Sequence, residues 1–509
     1  EISCSLVGSE MCIRDRLLAV CLSSCFCLSA QESFEEYKKR VQQDFLQMKE
    51  QQTADFENYR RRVNLEFAEY VAKSWEAMRA MKGEMPKMKP KPKEPIIYEE
   101  PKKEPERLEP IEIPDVAVIP LSEVQKQNPP IKLPEIKIPN IEKVRSDVEC
   151  IVFDFFGTSC SVHWTNDMKF QLKGNSEKEV ARALKNLAES KYEYMLYDCV
   201  KIVSDLQLNG WGMQQFCSSL AERLVGKGDD AVVLQTFLLT QLGYDARICL
   251  VGNKLKMMAP ATVEIAAYSY ITLNGKKYYI WDADFKGGQS ICSYKENMKD
   301  ATRALDFGNS SNIKFDYNPT EMRTVKSEKF SNIMAIVSVN RNLIDFYETM
   351  PIFLNDDWVM YAREPMESVA KESLLGQLKP MLVGLTEKDA ANKLLDFVQT
   401  GFEYKTDGDQ FGREKPFFKE EMFFYPFCDC EDRSFLFSYL IEELLGLKTV
   451  LVSAPGHVFV AVHFNDDIKG DCIDVEGDKY LICDPTYIGS HVGMCMPSCM
   501  HAKFKIYQI

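Results

Sequence analysis

Aromatic residues recur every eleven positions along the first polar part of the chain. Two rows follow this spacing: Phe34, Phe45, Phe56 and Phe67, and beside them Tyr37, Met48, Tyr59 and Tyr70. Eleven residues complete close to three helical turns, so both rows lie along one side of a long helix. The pattern predicts a helix over residues 31–81 that either associates with another copy of itself or packs on the rest of the chain.

Proline and charged residues dominate residues 82–146, beginning with the run MPKMKPKPK at 85–93. Proline cannot continue a helix or donate to a β-ladder, so this segment is predicted to be an extended, semi-rigid linker. Its later part is more apolar and is expected to lie along a domain surface. The apolar residues concerned are Ile111, Ile113, Val116, Ile119, Leu133, Ile136 and Ile138.

An internal repeat runs through residues 147–509, whose composition is that of a folded protein. The matching segments are 172–179 with 382–389, 192–194 with 402–404, and 228–230 with 430–432. In both halves the third match opens an apolar helix, and short alternating strands follow it. The order predicts an α+β fold with two domains, 147–325 and 326–509, each a helix packed on an antiparallel sheet.

Candidate chemistry is concentrated in the second half. Cys430 stands at the start of the apolar helix, where unpaired N–H groups and the helix dipole favour a thiolate over a thiol. His457 opens one alternating strand and Asp484 closes another. If these strands are neighbours in a sheet packed on the helix, the thiol, a proton acceptor and a group that orients the acceptor meet at one edge.

Three motifs in this order give the chain a family resemblance. A Cys-Glu-Asp at a helix start, a Gly-His before a strand and an Asp-Pro-Thr after the next strand resemble the transglutaminase-like (transglutaminase/protease core) superfamily, over residues 382–486. The resemblance implies papain-like domains, with Cys430 as nucleophile, His457 as general base and then acid, and Asp484 as orienter. The family usually has glycine where this chain has Cys428, and a second thiol there can cross-link Cys430 or compete with it for oxidation.

The first copy is expected to have lost this chemistry. Gly228 stands in the place of the nucleophile, and glycine carries no nucleophilic atom. The strand that should open with histidine is matched to the one carrying Tyr268 and Tyr270, and Asp282 is expected to survive without partners. This copy is predicted to bind a ligand or to support the second copy.

Acyl transfer at a peptide or amide bond is the activity that the resemblance implies. Water as acceptor gives a peptidase or amidase, which we favour, and an amine gives a cross-linking transferase. The substrate is expected to be a protein or peptide that enters between Tyr404 and Tyr425. The alternative is a non-catalytic binding or scaffold protein of the cell envelope built from two such modules.

Net charge, hydropathy and the N-terminal segments limit the possible partners and location of the protein. The formal net charge of −14 argues against nucleic-acid binding, and no stretch has the roughly twenty apolar residues of a membrane span. Residues 1–16 resemble translated sequencing-adapter read-through and are treated as an artefact, and residues 17–30 resemble a secretory signal. The protein is therefore expected to be secreted or to lie in the periplasm or cell envelope.

No cofactor and no metal are expected. Five of the 17 cysteines precede Gln31, and the other twelve are irregularly spaced, unlike a disulfide scaffold. Weaker alternatives are a soft-metal site in residues 494–501 and disulfides that pair Cys472 with Cys483 or Cys495 with Cys499.

Overall fold

A computed structural model describes residues 34–73, 116–119 and 148–509, apart from 267, 283, 286–290, 295, 354–357 and 501. The predictions for residues 1–16 and 17–30, and those for most of the linker, lie outside the described residues. The chain divides into two compact units, and the boundary along the sequence falls between Arg62 and Val63.

The predicted N-terminal helix is present as α1 (Phe34–Lys73). In the unit that ends at Arg62, apolar side chains of the aromatic rows such as Phe45 and Phe56 are exposed. In the unit that begins at Val63, the last turns of α1 pack on the folded body. Val71 is fully buried, and the ring of Phe67 lies 5.5 Å from that of Tyr294.

The body alternates helical and sheet segments, which confirms the α+β class. Its first half contains β2 (Val148–Phe155), β3 (Thr158–Thr165), α2 (Glu177–Glu189), α3 (Glu193–Leu206), α4 (Gly210–Val225), α5 (Asp229–Gln241), β4 (Arg247–Val251), β5 (Lys254–Ala259), β6 (Tyr270–Leu273), β7 (Lys276–Ile280) and β8 (Ile291–Cys292). The last five strands form a sheet in the order β6-β7-β5-β4-β8.

A connecting segment and the second half complete the body. They contain β9 (Arg323–Lys326), β10 (Met334–Val337), α6 (Arg341–Tyr347), α7 (Trp358–Arg363), α8 (Ser368–Leu378), α9 (Glu387–Gly401), β11 (Glu403–Tyr404), α10 (Asp407–Phe411), β12 (Phe427–Cys428), α11 (Cys430–Leu445), β13 (Lys448–Ala454), β14 (His457–His463), β15 (Cys472–Val475), β16 (Asp478–Cys483) and β17 (Phe504–Gln508). A linker strand, β1 (Val116–Ile119), pairs in parallel with β17 and gives a sheet ordered β1-β17-β13-β14-β16-β15.

The two sheets share one topology. In each half, a buried helix (α5 or α11) leads into a two-strand hairpin, a second hairpin adds to one side of it, and a late strand adds to the other. Strands β6, β7, β5, β4 and β8 therefore correspond in order to β15, β16, β14, β13 and β17. This equivalence supports the repeat inferred from sequence, although both copies share one continuous apolar core.

The equivalence corrects one sequence match. In both copies, the strand after the buried helix turns back through two residues, 455–456 in the second copy and 252–253 in the first. Lys254 therefore occupies the place of His457, because each is the first residue after the turn. The assignment of this place to the strand with Tyr268 and Tyr270 was wrong, since that strand is the counterpart of β15.

No helix among the described residues is both long enough and apolar enough to cross a membrane.

Candidate functional site

Carboxylates fix the start of the helix that carries the candidate nucleophile. Asp429 precedes Cys430 at the helix start, and its backbone N–H donates to Asp432 Oδ2 at 3.1 Å. The other oxygen of Asp432 accepts a hydrogen bond from the backbone N–H of Phe417 at 2.8 Å. The Asp429 side chain in turn accepts from the backbone N–H of Asp432, and this capping box begins α11 at Cys430.

Cys430 lies against the start of the histidine strand. Ser434 Oγ donates to the carbonyl of Cys430 at 2.7 Å and lies 3.2 Å from the carbonyl of Val458, which follows His457 in β14. The Cys430 side chain is 1% exposed, and its thiol donates to Glu431 Oε2 at 3.1 Å. Ser434 therefore connects the first turn of α11 to the start of β14.

The surroundings of Cys430 do not favour the thiolate that was expected there. Burial raises the pKa of the thiol well above its usual value, and the carboxylates of Glu431 and Asp429 raise it further. The Val458 backbone N–H opposes this rise only in part. The helix dipole is thus outweighed by desolvation and by two neighbouring acids.

The histidine and aspartate motifs do meet. His457 Nε2 lies 2.8 Å from Asp484 Oδ2, and both side chains are buried. A carboxylate only accepts, so Nε2 donates and the lone pair of the ring lies on Nδ1. His457 Nδ1 is buried and has no hydrogen-bond partner among the described residues, which leaves it as the atom that can accept a proton.

Asp484 is held in place from several sides. Its Oδ1 accepts hydrogen bonds from the backbone N–H groups of Thr486 at 2.9 Å and Tyr487 at 3.1 Å. The Gln399 amide, on α9, donates to the carbonyls of Asp484 and Tyr487 at 2.9 Å and to Ser490 Oγ at 3.0 Å. Sequence reasoning missed Gln399, although a lone amide on the apolar face of α9 was a visible signal.

Cys428 is not cross-linked to Cys430. Its Sγ lies 3.5 Å from Arg433 Nε and 3.7 Å from the carbonyl of Glu403, and burial raises the pKa of this thiol to about 11. No disulfide joins any of the twelve cysteines in the described part of the chain. The two disulfides considered from sequence, Cys472 with Cys483 and Cys495 with Cys499, are therefore not formed.

Three acidic side chains gather beside the thiol. Carboxylate oxygens of Asp407, Asp429 and Glu431 lie within 4.8 Å of one another, and all three residues are buried. Among the described residues, these three form the cluster whose ligand atoms are close enough together to bind a hard cation. Burial and mutual repulsion raise the pKa of Asp429 and of Glu431. Protons shared between these carboxyl groups are therefore the alternative to a bound cation for neutralising their charge.

The candidate site is covered on two sides. Tyr404 follows α9 in β11, and its ring lies 5.4 Å from the guanidinium carbon of Arg433, on the helix that Cys430 begins. Burial raises the pKa of this tyrosine. On the other face of the sheet, Cys499 and Met494 pack in one cluster with Phe459, and burial and Asp484 raise the pKa of Cys499 to about 11. Tyr425, the second residue of the expected entrance, packs instead on Phe411 and Phe417.

The counterpart in the first copy has different chemistry. Asp282 takes the place of Asp484. Asp282 follows β7 and Asp484 follows the equivalent strand β16, and each aspartate lies opposite the third residue of the neighbouring strand, β5 or β14. Asp282 is not without partners, as had been expected: its Oδ2 lies 2.5 Å from Lys256 Nζ. Gly228 precedes α5 with a φ of +129°, and the triad is replaced by glycine, lysine and aspartate.

No family model, curated protein or solved structure matches the chain. The resemblance to transglutaminase-like proteins therefore rests on the motifs and remains a prediction.

Replacing Glu431 with glutamine should increase the rate at which iodoacetamide alkylates Cys430 at pH 8, by about tenfold for each unit by which the thiol pKa falls. The substitution removes a carboxylate that accepts from the thiol and raises its pKa. Peptide mass spectrometry measures the rate. Glu443→Gln, at the exposed end of α11, is the control, and equal rates in both variants would contradict the electrostatic account.

Proposed function

We propose that this protein is an exported cysteine-dependent enzyme of transglutaminase-like type, which cleaves peptide or amide bonds through Cys430, His457 and Asp484. The observation that carries the proposal is the buried His457–Asp484 hydrogen bond of 2.8 Å, which leaves His457 Nδ1 without a partner among the described residues. His457 begins the strand whose Val458 carbonyl lies 3.2 Å from Ser434 Oγ, one turn along the helix from Cys430. A buried ion-pair geometry of this kind orients an imidazole for proton transfer.

The proposed reaction has two steps. His457 Nδ1 takes the proton of the Cys430 thiol, Sγ attacks the carbonyl carbon, and the same proton passes to the leaving amine as the amide bond breaks. Water then attacks the thioester, His457 accepts its proton, and the acid product leaves as the thiol is restored. Backbone N–H groups at the start of α11 are placed to stabilise the oxyanion.

Access to the site requires a change of conformation. Cys430, His457 and Asp484 are 1%, 5% and 1% exposed, so a peptide carbonyl reaches the thiol only when a covering segment is displaced. We propose that substrate binding displaces Tyr404 or the segment that carries Met494 and Cys499. Opening would also return the thiol to solvent and lower its pKa, because desolvation is the largest cause of the rise.

A non-catalytic function is the second candidate, and a specific observation favours it. The Cys430 thiol is buried, its pKa is raised by burial and by Glu431 and Asp429, and the first copy has a glycine at the equivalent place. In this alternative both copies bind ligands, and the triad contributes only to the stability of the second sheet.

Two further parts of the proposal concern location and assembly. Export is proposed from residues 17–30. Self-association through α1 is supported by the apolar side chains that its first turns expose, at Val41, Phe45, Met48 and Phe56.

Alkylation of Cys430 with iodoacetamide at pH 7, followed by peptide mass spectrometry, separates the two candidates. In the enzyme, labelling should slow by about tenfold or more in His457→Ala, because the imidazole no longer accepts the thiol proton. His463→Ala, on the same strand, is the control and should leave the rate unchanged. Slow labelling that is equal in wild type and in His457→Ala, with both proteins folded, would reject the enzyme.

A further inference from the structure

The degenerate first copy keeps an open cleft where the second copy has its triad. The cleft has a volume of about 540 Å³, and Gly228, Lys254 and Asp282, the counterparts of Cys430, His457 and Asp484, all line it. A Cβ atom added at Gly228 would meet no heavy atom within 4 Å, so the space at the lost nucleophile is empty of protein. The first copy is open at the place where the second copy is covered.

Two side-chain amides line the cleft with unused hydrogen-bonding capacity. Gln235, on α5, is 6% exposed and makes no hydrogen bond with any residue that the structure describes. Gln214, on α4, is also 6% exposed and accepts one hydrogen bond, from Gln215 at 2.9 Å. Neither amide is among the buried polar atoms that lack a partner, so the polar atoms of both face the cleft, where a ligand can replace water as their partner. An amide donates and accepts at once, which matches a peptide group.

The charges around the cleft leave one ammonium group available. Lys256 is paired with Asp282 at 2.5 Å, and Asp229 Oδ1 accepts from the backbone N–H of Leu255 at 3.0 Å. Glu222, which also lines the cleft, lies 3.8 Å from Lys227 Nζ. Lys254 is exposed and forms no ion pair within 4 Å among the described residues, although its charge helps to lower the pKa of Asp282. A ligand with a carboxylate can therefore pair with Lys254 without breaking an existing contact.

The aromatic residue of the cleft is not available as a stacking platform. Trp281 lies 5.2 Å from the ring of Trp211 and 5.2 Å from that of Tyr268, and its Nε1 donates to the carbonyl of Ala259 at 3.2 Å. Sugar rings bind proteins largely through a free aromatic face. The rings of Trp211 and Tyr268 pack against Trp281 and leave it less available for such stacking. The cleft is better suited to an extended chain of amides than to a carbohydrate.

We propose that the cleft of the first copy is a peptide-binding site, which takes an extended segment with an acidic side chain. Gln214 and Gln235 bind its backbone amides, and Lys254 pairs with its carboxylate. The proposal concerns binding alone, and it holds whether or not Cys430 is a nucleophile.

The test uses the full chain with Cys430→Ala, so that no bound peptide can be cleaved. Fluorescence anisotropy measures the binding of fluorescein-labelled, end-blocked octapeptides of varied sequence that carry a central glutamate, together with the same set carrying lysine there. We expect the glutamate set to bind, and Lys254→Glu to weaken this binding by about tenfold or more. Gln235→Leu should weaken it by about fivefold, since a buried amide partner is lost.

Lys201→Glu, on the exposed side of α3, makes the same charge change away from the cleft and should alter binding by less than about twofold. The proposal is overturned if no glutamate peptide binds, if the lysine set binds equally well, or if Lys254→Glu and Lys201→Glu have equal effects. Lys254 is exposed, so its variant tests the site even if Gln235→Leu does not fold. None of these outcomes depends on the alkylation of Cys430.

Discussion

Cys430→Ala should reduce peptide or amide turnover by at least about a thousandfold, because the substitution removes the sulfur that is proposed to form the acyl-enzyme. The side chain is small and buried, so the loss of its sulfur leaves α11 and its cap in place. Turnover is measured by mass spectrometry on a mixture of peptide substrates, and circular dichroism verifies the fold. A folded variant as active as wild type would place the chemistry elsewhere.

Asp484→Asn tests the same site through its orienting group and should lower turnover by about 10³–10⁴-fold. An amide can present an N–H to His457 Nε2, which would move the ring hydrogen to Nδ1 and block the atom that must accept the thiol proton. Alkylation of Cys430 should slow in parallel. The matched control is Asp478→Asn, an exposed change at the start of β16, and it should leave both measurements unaltered.

Arg433→Met should lower the free energy of unfolding by about 3 kcal/mol, because it leaves buried carbonyl groups without a donor. Arg433 is 1% exposed, and its guanidinium donates to the carbonyl of Phe402 at 2.7 Å and to that of Gln399 at 3.3 Å. These carbonyls end α9, so the guanidinium of Arg433, on α11, also lies at the negative end of the α9 dipole.

Urea denaturation of both proteins measures this effect, and the midpoint should fall without a large change in slope. Methionine keeps much of the length of the arginine side chain, so the difference reports lost hydrogen bonds rather than a cavity. Arg223→Met, at an exposed position on α4, should change stability by less than about 0.5 kcal/mol. Equal losses in the two variants would show that Arg433 does not join α9 to α11.

The sequence motifs were sufficient to place part of the candidate site. Gly446, with a φ of +68°, ends α11 where glycine stood after the apolar run, and β14 and β16 are neighbours in one sheet. His457 and Asp484 therefore meet as expected. Local signals sufficed here because strand alternation and helix caps depend on residues close together in the chain.

Two other features depend on contacts between distant segments, and the sequence did not reveal them. The carboxylate of Asp407 comes from a separate short helix and joins Asp429 and Glu431 only after the second half has folded. The counterpart of His457 was mismatched because lysine replaces histidine, and only the register of the hairpin identifies Lys254. Burial, which decides the state of the Cys430 thiol, also follows from the whole fold.

The short strand β1 limits association of the body through the edge of its six-stranded sheet. It covers β17, which would otherwise present a row of unpaired backbone groups at the edge of the six-stranded sheet. Uncovered edges of this kind pair with the edges of other molecules and lead to aggregation. The proline-rich linker thus supplies a short edge strand, and its release by proteolysis between 119 and 148 would leave β17 open to edge-to-edge association.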